Sequence, residues 1–288
     1  MCRLFALHAG AKPVSATFWL LDAPDSLAEQ SHRNPDGAGI GRFEGPGAPV
    51  IDKQPLAAWQ DPEFARAART MQGTNFVAHI RYASTGAKTD ANTHPFLQDG
   101  RLFAHNGVVE GLSALEARLT ELDARDLVQG DTDSERAFAL VTAEIRRHGG
   151  DVQEGLAAAV RWMAEEIPVY SLNVILATDD ELYALRYPDT NELYVLERPA
   201  TGNHLHAKSQ RIHAHSSDLA TTSSVVFASE PMDEDAWRLL EPGELVRVGP
   251  DLVAHSSMLL TDEPRHALTL ADLNPTAAGS QHPQLADK

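Results

Sequence analysis

Met1-Cys2-Arg3-Leu4-Phe5-Ala6-Leu7 opens the chain, and its reading decides the fold. Residues 2–7 are short, mostly apolar and strand-like, the pattern of a strand buried inside a sheet. Cys2 is the one cysteine of the sequence and stands directly behind the initiator methionine. Removal of Met1, which a small second residue allows, would place a thiol and a free α-amine on the same residue. A thiolate attacks carbonyl carbon well, and an N-terminal amine can act as its general base. With a reference pKa of about 7.7–8.0, that amine is partly neutral near physiological pH. The plain alternative is that Cys2 is a small buried hydrophobe at the start of a first strand.

The 288 residues allow one large domain or two small ones. With 24 basic against 41 acidic residues, the formal charge is -17. Nucleic acid and anionic membranes are thereby disfavoured as partners, since both need clustered Lys and Arg. A single cysteine excludes an intrachain disulfide framework, so a reducing cytoplasm is the expected location. The sequence has no apolar run long enough to span a bilayer and no basic-then-apolar leader pattern.

Outward from the first strand, Asn34-Pro35-Asp36-Gly37 signals a turn before a strand at 38–43, and Glu44-Gly45-Pro46-Gly47 a hairpin loop. Asp61-Pro62 reads as a helix start, with Gly73 as its stop. Strand character returns at 76–82 and 102–105. Helical spacing follows over 112–122, 134–148 and 152–167, the last closed by Pro168. Strands are expected at 172–177, 181–186, 193–197, 225–228 and 245–248, with Asp179-Asp180 turning the first pair. From 261 onward the chain is polar, which predicts a main domain over 2–260 and a partly disordered tail over 261–288. Strand runs, then helix runs, then strands again predict an α+β layered fold. Trp59, Trp162 and Trp237 read as packing residues.

Four segments supply what an N-terminal cysteine acyl-transfer site requires. In Arg33-Asn34-Pro35-Asp36-Gly37-Ala38-Gly39, an arginine and an aspartate flank a tight turn; an ordinary turn is the simpler reading. In His79-Ile80-Arg81-Tyr82-Ala83-Ser84-Thr85-Gly86, Arg81 ends an apolar strand and needs an anion, from the protein or from a ligand. His105-Asn106-Gly107 offers a side-chain amide and a backbone N–H that could converge as an oxyanion hole, though Asn-Gly more often marks a turn. Gly130-Asp131-Thr132-Asp133-Ser134-Glu135 opens a helix with more carboxylates than capping needs, so one could hold a substrate ammonium.

Together with Thr93-His94-Pro95-Phe96, these segments fall in the order seen in class II glutamine amidotransferases, and the chain resembles that family from Cys2 to about Val248. The later stretches Leu172-Asn173-Val174-Ile175-Leu176, Phe227-Ala228-Ser229-Glu230-Pro231, Trp237 and Pro242-Gly243-Glu244 are similar to free-standing members such as the ergothioneine-pathway γ-glutamyl hydrolase. The resemblance implies a four-layer α-β-β-α sandwich of the N-terminal nucleophile hydrolase type. It further implies Cys2 as nucleophile with its α-amine as base, and Asn106 and Gly107 as oxyanion hole. Arg81 would bind the substrate α-carboxylate and Asp133 its α-ammonium, with Arg33, Tyr82 and Ser84 in support. The family's tryptophan after the arginine and histidine before the glycine are here Tyr82 and Thr85.

The expected reaction is cleavage of a γ-glutamyl amide through a glutamyl thioester on Cys2, with no cofactor. The leaving group is either ammonia, passed to a separate accepting subunit, or a larger amine such as a thiol-metabolite conjugate. A catalytically silent binding or regulatory protein on the same fold is the rival of another class. The sequence also carries His204-Leu205-His206 and His213-Ala214-His215, whose alternate histidines could chelate a metal; without grouped Cys or carboxylate ligands, an exposed His-rich hairpin is the preferred reading.

Overall fold

The computed structural model describes residues 1–200, 219 and 221–281. The first strand, β1 (Arg3–His8), is buried along its whole length and lies fourth of seven in one sheet. The other strands in chain order are β2 (Val14–Ser15), β3 (Gly37–Phe43), β4 (Val50–Gln54), β5 (Gln72–Gly73), β6 (Asn75–Arg81), β7 (Phe96–Gln98) and β8 (Arg101–Val109). There follow β9 (Val169–Ala177), β10 (Leu182–Leu185), β11 (Tyr194–Arg198), β12 (Ser224–Ala228), β13 (Arg238–Leu239), β14 (Glu244–Val248) and β15 (Ala254–Met258). One sheet has the order β13-β11-β12-β1-β6-β3-β4 and the other β15-β14-β10-β9-β8-β7, with β2 and β5 as a small separate ribbon. Every named strand pair is antiparallel, and β1, β6 and β9 are buried throughout. Strands covered on both faces read as continuous apolar runs rather than alternating ones.

The helices complete a four-layer sandwich. Outside the seven-stranded sheet lie a π-helical turn (Phe18–Asp22), α1 (Leu27–Gln30) and α2 (Pro62–Thr70), whose Trp19, Leu27 and Phe64 share a core with Phe5, Leu7 and Ile80. Outside the six-stranded sheet lie α3 (Leu112–Glu121), α4 (Asp133–Arg147) and α5 (Val152–Glu166), packed against Phe103, Leu172, Val174 and Leu176. The third core fills the space between the sheets with Leu4, Ala6, Val77, Leu102, Ala104 and Ile175. Helices α4 and α5 approach so closely that a Cβ on Gly155 would lie 2.5 Å from the Ile145 backbone. The fold is that of the N-terminal nucleophile hydrolases, as the resemblance implied.

Several local expectations change. Gly73 does not stop a helix: α2 ends at Thr70 because the chain turns extended at Met71, and Gly73 enters β5 beneath the Phe43 carbonyl. Asn106-Gly107 is no turn, since β8 runs straight through it to Val109. Trp59 is 48% exposed and stacks on His32, whereas Trp237 meets the buried Trp19 edge-on at 5.6 Å. The polar stretch from 261, expected as a fraying tail, is docked as far as Gln281. The Val169 and Leu268 N–H groups donate to His266 and Val169 carbonyls, and α6 (Pro275–Gln281) buries Ala277 beside Val108, Tyr170 and Leu273. Residues 282–288 and the histidines at 204, 206, 213 and 215 lie outside the described residues.

Candidate active site

Strand alternation gathers the predicted side chains on one face. Successive residues of a strand point to opposite sides, so residues two apart share a side. Leu4 and Ala6 of β1 line the space between the sheets, and Cys2 continues their row. By the same count Val77 brings His79 and Arg81 of β6 to that side, and Leu102 and Ala104 bring Asn106 of β8. Three of the predicted groups therefore converge at one end of the inter-sheet layer.

Cys2 is pinned at the end of β6. Its Sγ accepts from the Tyr82 N–H at 3.3 Å and lies 3.4 Å from the Tyr82 carbonyl oxygen, to which the thiol can donate. Burial pushes the thiol pKa up, against the opposing pull of that Tyr82 N–H. A thiol so placed is protonated at rest and needs a base at the moment of attack. Tyr82 thus contributes its backbone, and Ser84 lies half-buried on the same loop.

Arg81 is 4% exposed and, among the described residues, has no carboxylate within ion-pair distance of its guanidinium. It donates to the carbonyls of Thr85 at 2.6 Å, Ala87 at 3.0 Å and Gly86 at 3.4 Å. Burial lowers its pKa, while the neighbouring Cys2, Asp36 and Asp133 act to raise it. A buried cation satisfied only by dipoles keeps an unmatched positive charge, which suits it to an incoming carboxylate.

Thr132, not an aspartate, caps α4: its side chain accepts from the Glu135 N–H. Asp133 is thereby released from capping. Its Oδ2 accepts from the Val109 N–H at 3.1 Å and its Oδ1 from the Thr85 hydroxyl at 3.0 Å. The carboxylate is 98% buried and ties α4, the end of β8 and the loop after β6 together. Thr85, which replaces the family histidine, contributes through this bond.

Asn106 is fully buried, and among the described residues neither its amide nitrogen nor its side-chain carbonyl oxygen has a partner. An unpaired buried amide costs about 1–3 kcal/mol, so this side chain subtracts from the stability of the sheet. Its cross-strand neighbour Asn173 contrasts with it: that side chain donates to the Asn191 and Glu192 carbonyls and accepts from the Tyr187 N–H. Gly107 is required by packing, because a Cβ there would sit 2.0 Å from the Ser171 carbonyl oxygen. Strand β7 pairs with β8 only as far as Phe103, so no strand in this sheet covers that edge of β8 at Gly107.

Arg33 lies near the chain start, where it acts on the Met1 amine. Its Nη2 lies 3.3 Å from Glu230 and 3.6 Å from Asp25, at the rim beside Met1. Sequence reasoning gave no role to four residues that contribute here. Asp36 accepts from the Ala83 N–H at 2.9 Å and meets Lys88 at 2.5 Å, so it shapes the loop that carries Thr85; its place before the glycines was the available signal. The buried rings of His79 and His94 lie 4.2 Å apart, tilted by 43°. Burial holds both neutral, His79 being pushed down to about 3. Glu230 makes a two-point bond to Arg3. Among the described residues no group of three or more His, Cys, Asp or Glu could hold a metal, and no helix is long and apolar enough to cross a membrane.

Comparison with known proteins gives a consistent picture. The family model for glutamine amidotransferases class-II matches residues 1–268. An uncharacterized protein of Methanocaldococcus jannaschii is 27% identical over 248 residues, covering 83% of this chain and 68% of that protein. The Escherichia coli protein YafJ is 29% identical over 221 residues, 73% of this chain and 83% of YafJ. Among solved structures, a glutamine aminotransferase class-II domain protein from Silicibacter pomeroyi superposes with a TM-score of 0.61 at 22% identity, over 89% of this chain and 98% of that one.

Proposed function

The chain belongs to the class-II glutamine amidotransferases, and we propose that it cleaves a γ-glutamyl amide through a glutamyl thioester on Cys2, releasing glutamate and either ammonia or an amine. The observation that carries this reading is Asn106, a fully buried amide without a partner on the side shared by Cys2 and Arg81. Enzymes keep such donors unpaired where negative charge develops in a transition state.

In the proposed cycle Met1 has been removed. Arg81 takes the substrate α-carboxylate and Asp133 its α-ammonium, which places the γ-carbonyl at Sγ. The Cys2 α-amine accepts the thiol proton as sulfur bonds to carbon, and the carbonyl oxygen becomes an oxyanion held by Asn106 Nδ2 and the Gly107 N–H. The protonated Cys2 amine then gives its proton to the leaving nitrogen, the C–N bond breaks, and the thioester remains. Water, deprotonated by the same amine, adds to the thioester; the C–S bond breaks, the amine returns its proton to sulfur, and glutamate leaves. An accepting subunit for ammonia is part of the proposal only where the leaving group is ammonia.

Glutamine and a set of γ-glutamyl amines, offered to protein whose intact mass shows Met1 removed, test this reading. Glutamate release accompanied by ammonia identifies glutamine as donor; release accompanied by a larger amine identifies a γ-glutamyl hydrolase. No glutamate from any of them favours the silent binding protein. Arg81→Ala is expected to raise KM by about 30-fold with a smaller change in kcat, since a hydrogen-bonded charge pair contributes about 1.5–3 kcal/mol. Steady-state kinetics on the preferred donor check this, and an unchanged KM contradicts the assignment.

A further inference from the structure

Arg3 and Glu230 form a pair that the proposed cycle does not use. Arg3 is 6% exposed and all three of its guanidinium nitrogens donate: Nε and Nη2 to the two Glu230 oxygens at 2.8 and 3.1 Å. The remaining nitrogen, Nη1, donates to the Met1 carbonyl at 2.6 Å and reaches the Cys2 carbonyl at 3.4 Å. The Met1 carbonyl is bonded to the Cys2 nitrogen, the atom that becomes the α-amine. When Met1 leaves, its carbonyl goes with it; Nη1 keeps the Cys2 carbonyl at 3.4 Å and loses the acceptor that was bonded to the new amine nitrogen. Glu230 holds the guanidinium in that place from the far side.

Resting on the Cys2 reading above, we infer that the Arg3–Glu230 pair is a positioning device that sets the protonation of the Cys2 α-amine. A buried cation against an amine disfavours its ammonium form and keeps it available as a base at neutral pH; the glutamate behind limits the effect. The terminal amine one residue upstream already feels these groups: burial and then Arg3 hold it down to about 5, with Glu230 opposing. The charged and titratable groups that face this point are Arg3 and the Cys2 thiol on the first strand, Arg33 and Asp25 from the segment before β3, Arg81 at the end of β6, and Glu230 after β12. Arg33, which pairs with Glu230 and Asp25, acts on the terminal amine after Arg3, and Arg81 is held by the loop carbonyls, which leaves Arg3 as the leading cation beside the amine.

The test is the pH profile of kcat/KM for the Met1-processed protein, whose acid limb reports the free-enzyme base. Arg3→Gln removes the cation and leaves Glu230 unopposed, so the acid limb is expected to move up by about one pH unit. Glu230→Gln keeps the shape and leaves the cation unopposed, so the limb is expected to move down. Opposite shifts support the inference; no shift, or shifts in one direction, overturn it. Should Arg3→Gln fail to fold, Glu230→Gln decides alone: a downward limb supports, an unmoved or upward limb overturns. Failure of the underlying mechanism looks different, because the processed wild-type protein would then release no glutamate at any pH.

Discussion

Cys2→Ala in the Met1-processed protein is expected to lower γ-glutamyl cleavage by a factor on the order of 10^4 or more, with the fold intact. The size follows from the role: without sulfur no covalent intermediate forms, and water must attack a resonance-stabilised amide directly. The fold survives because Cys2 precedes β1 and belongs to none of the three hydrophobic cores. The bond lost is a weak one, from the Tyr82 N–H to Sγ. Glutamate assay together with thermal unfolding of both proteins checks the result. Activity near the wild-type level in Cys2→Ala would sink the nucleophile assignment, and loss of folding would show that the residue is structural.

Asn106→Ala is expected to lower kcat by roughly 10^2–10^3 while KM moves little, the cost of removing one oxyanion donor. A purely structural asparagine behaves otherwise. Had its amide been bonded in the folded protein, truncation would leave buried partners stranded and destabilise the sheet. Here both polar atoms are unpaired, so removing them strands nothing. Unfolding by denaturant should show a stability equal to or above wild type, opposite in sign to the kinetic loss. A large stability loss with unchanged kcat would contradict the assignment.

The contrast between Asn106 and its neighbours shows what a sequence can reveal. An α+β layered fold was readable from the succession of strand runs, helix runs and strand runs, while the four-layer order came from the resemblance. The grouping of Cys2, Arg81 and Asn106 was readable from motif order, and strand alternation accounts for it physically. The Asn-Gly pair misled as a local signal. Its glycine answers to the Ser171 carbonyl of a strand more than sixty residues away, which no turn propensity encodes. Capping by Thr132 rather than by an aspartate could have been inferred from the Thr132…Glu135 spacing, had it been weighed against the acidic cluster.

Other features depend on contacts between distant segments. The Thr85–Asp133 bond joins residues 48 apart and becomes visible only when the loop after β6 meets the start of α4. The Arg3–Glu230 bond spans 227 residues and requires β12 to lie beside β1. The docking of residues 261–281 escaped a compositional reading because it rests largely on backbone bonds to Val169 and on a few small side chains such as Ala277. Polar composition describes the outward side of such a segment and says little about the side that packs.

The central claim is that Cys2 acts as a terminus, with sulfur and amine on one residue. Its most direct test is acid quenching of Met1-processed protein during turnover of a γ-glutamyl donor, followed by mass analysis of the N-terminal peptide. The account predicts a transient glutamyl adduct on Cys2 in the processed chain and none in a chain that retains Met1. Glutamate release at full rate with Cys2 unmodified throughout, or from protein that still carries Met1, would contradict it.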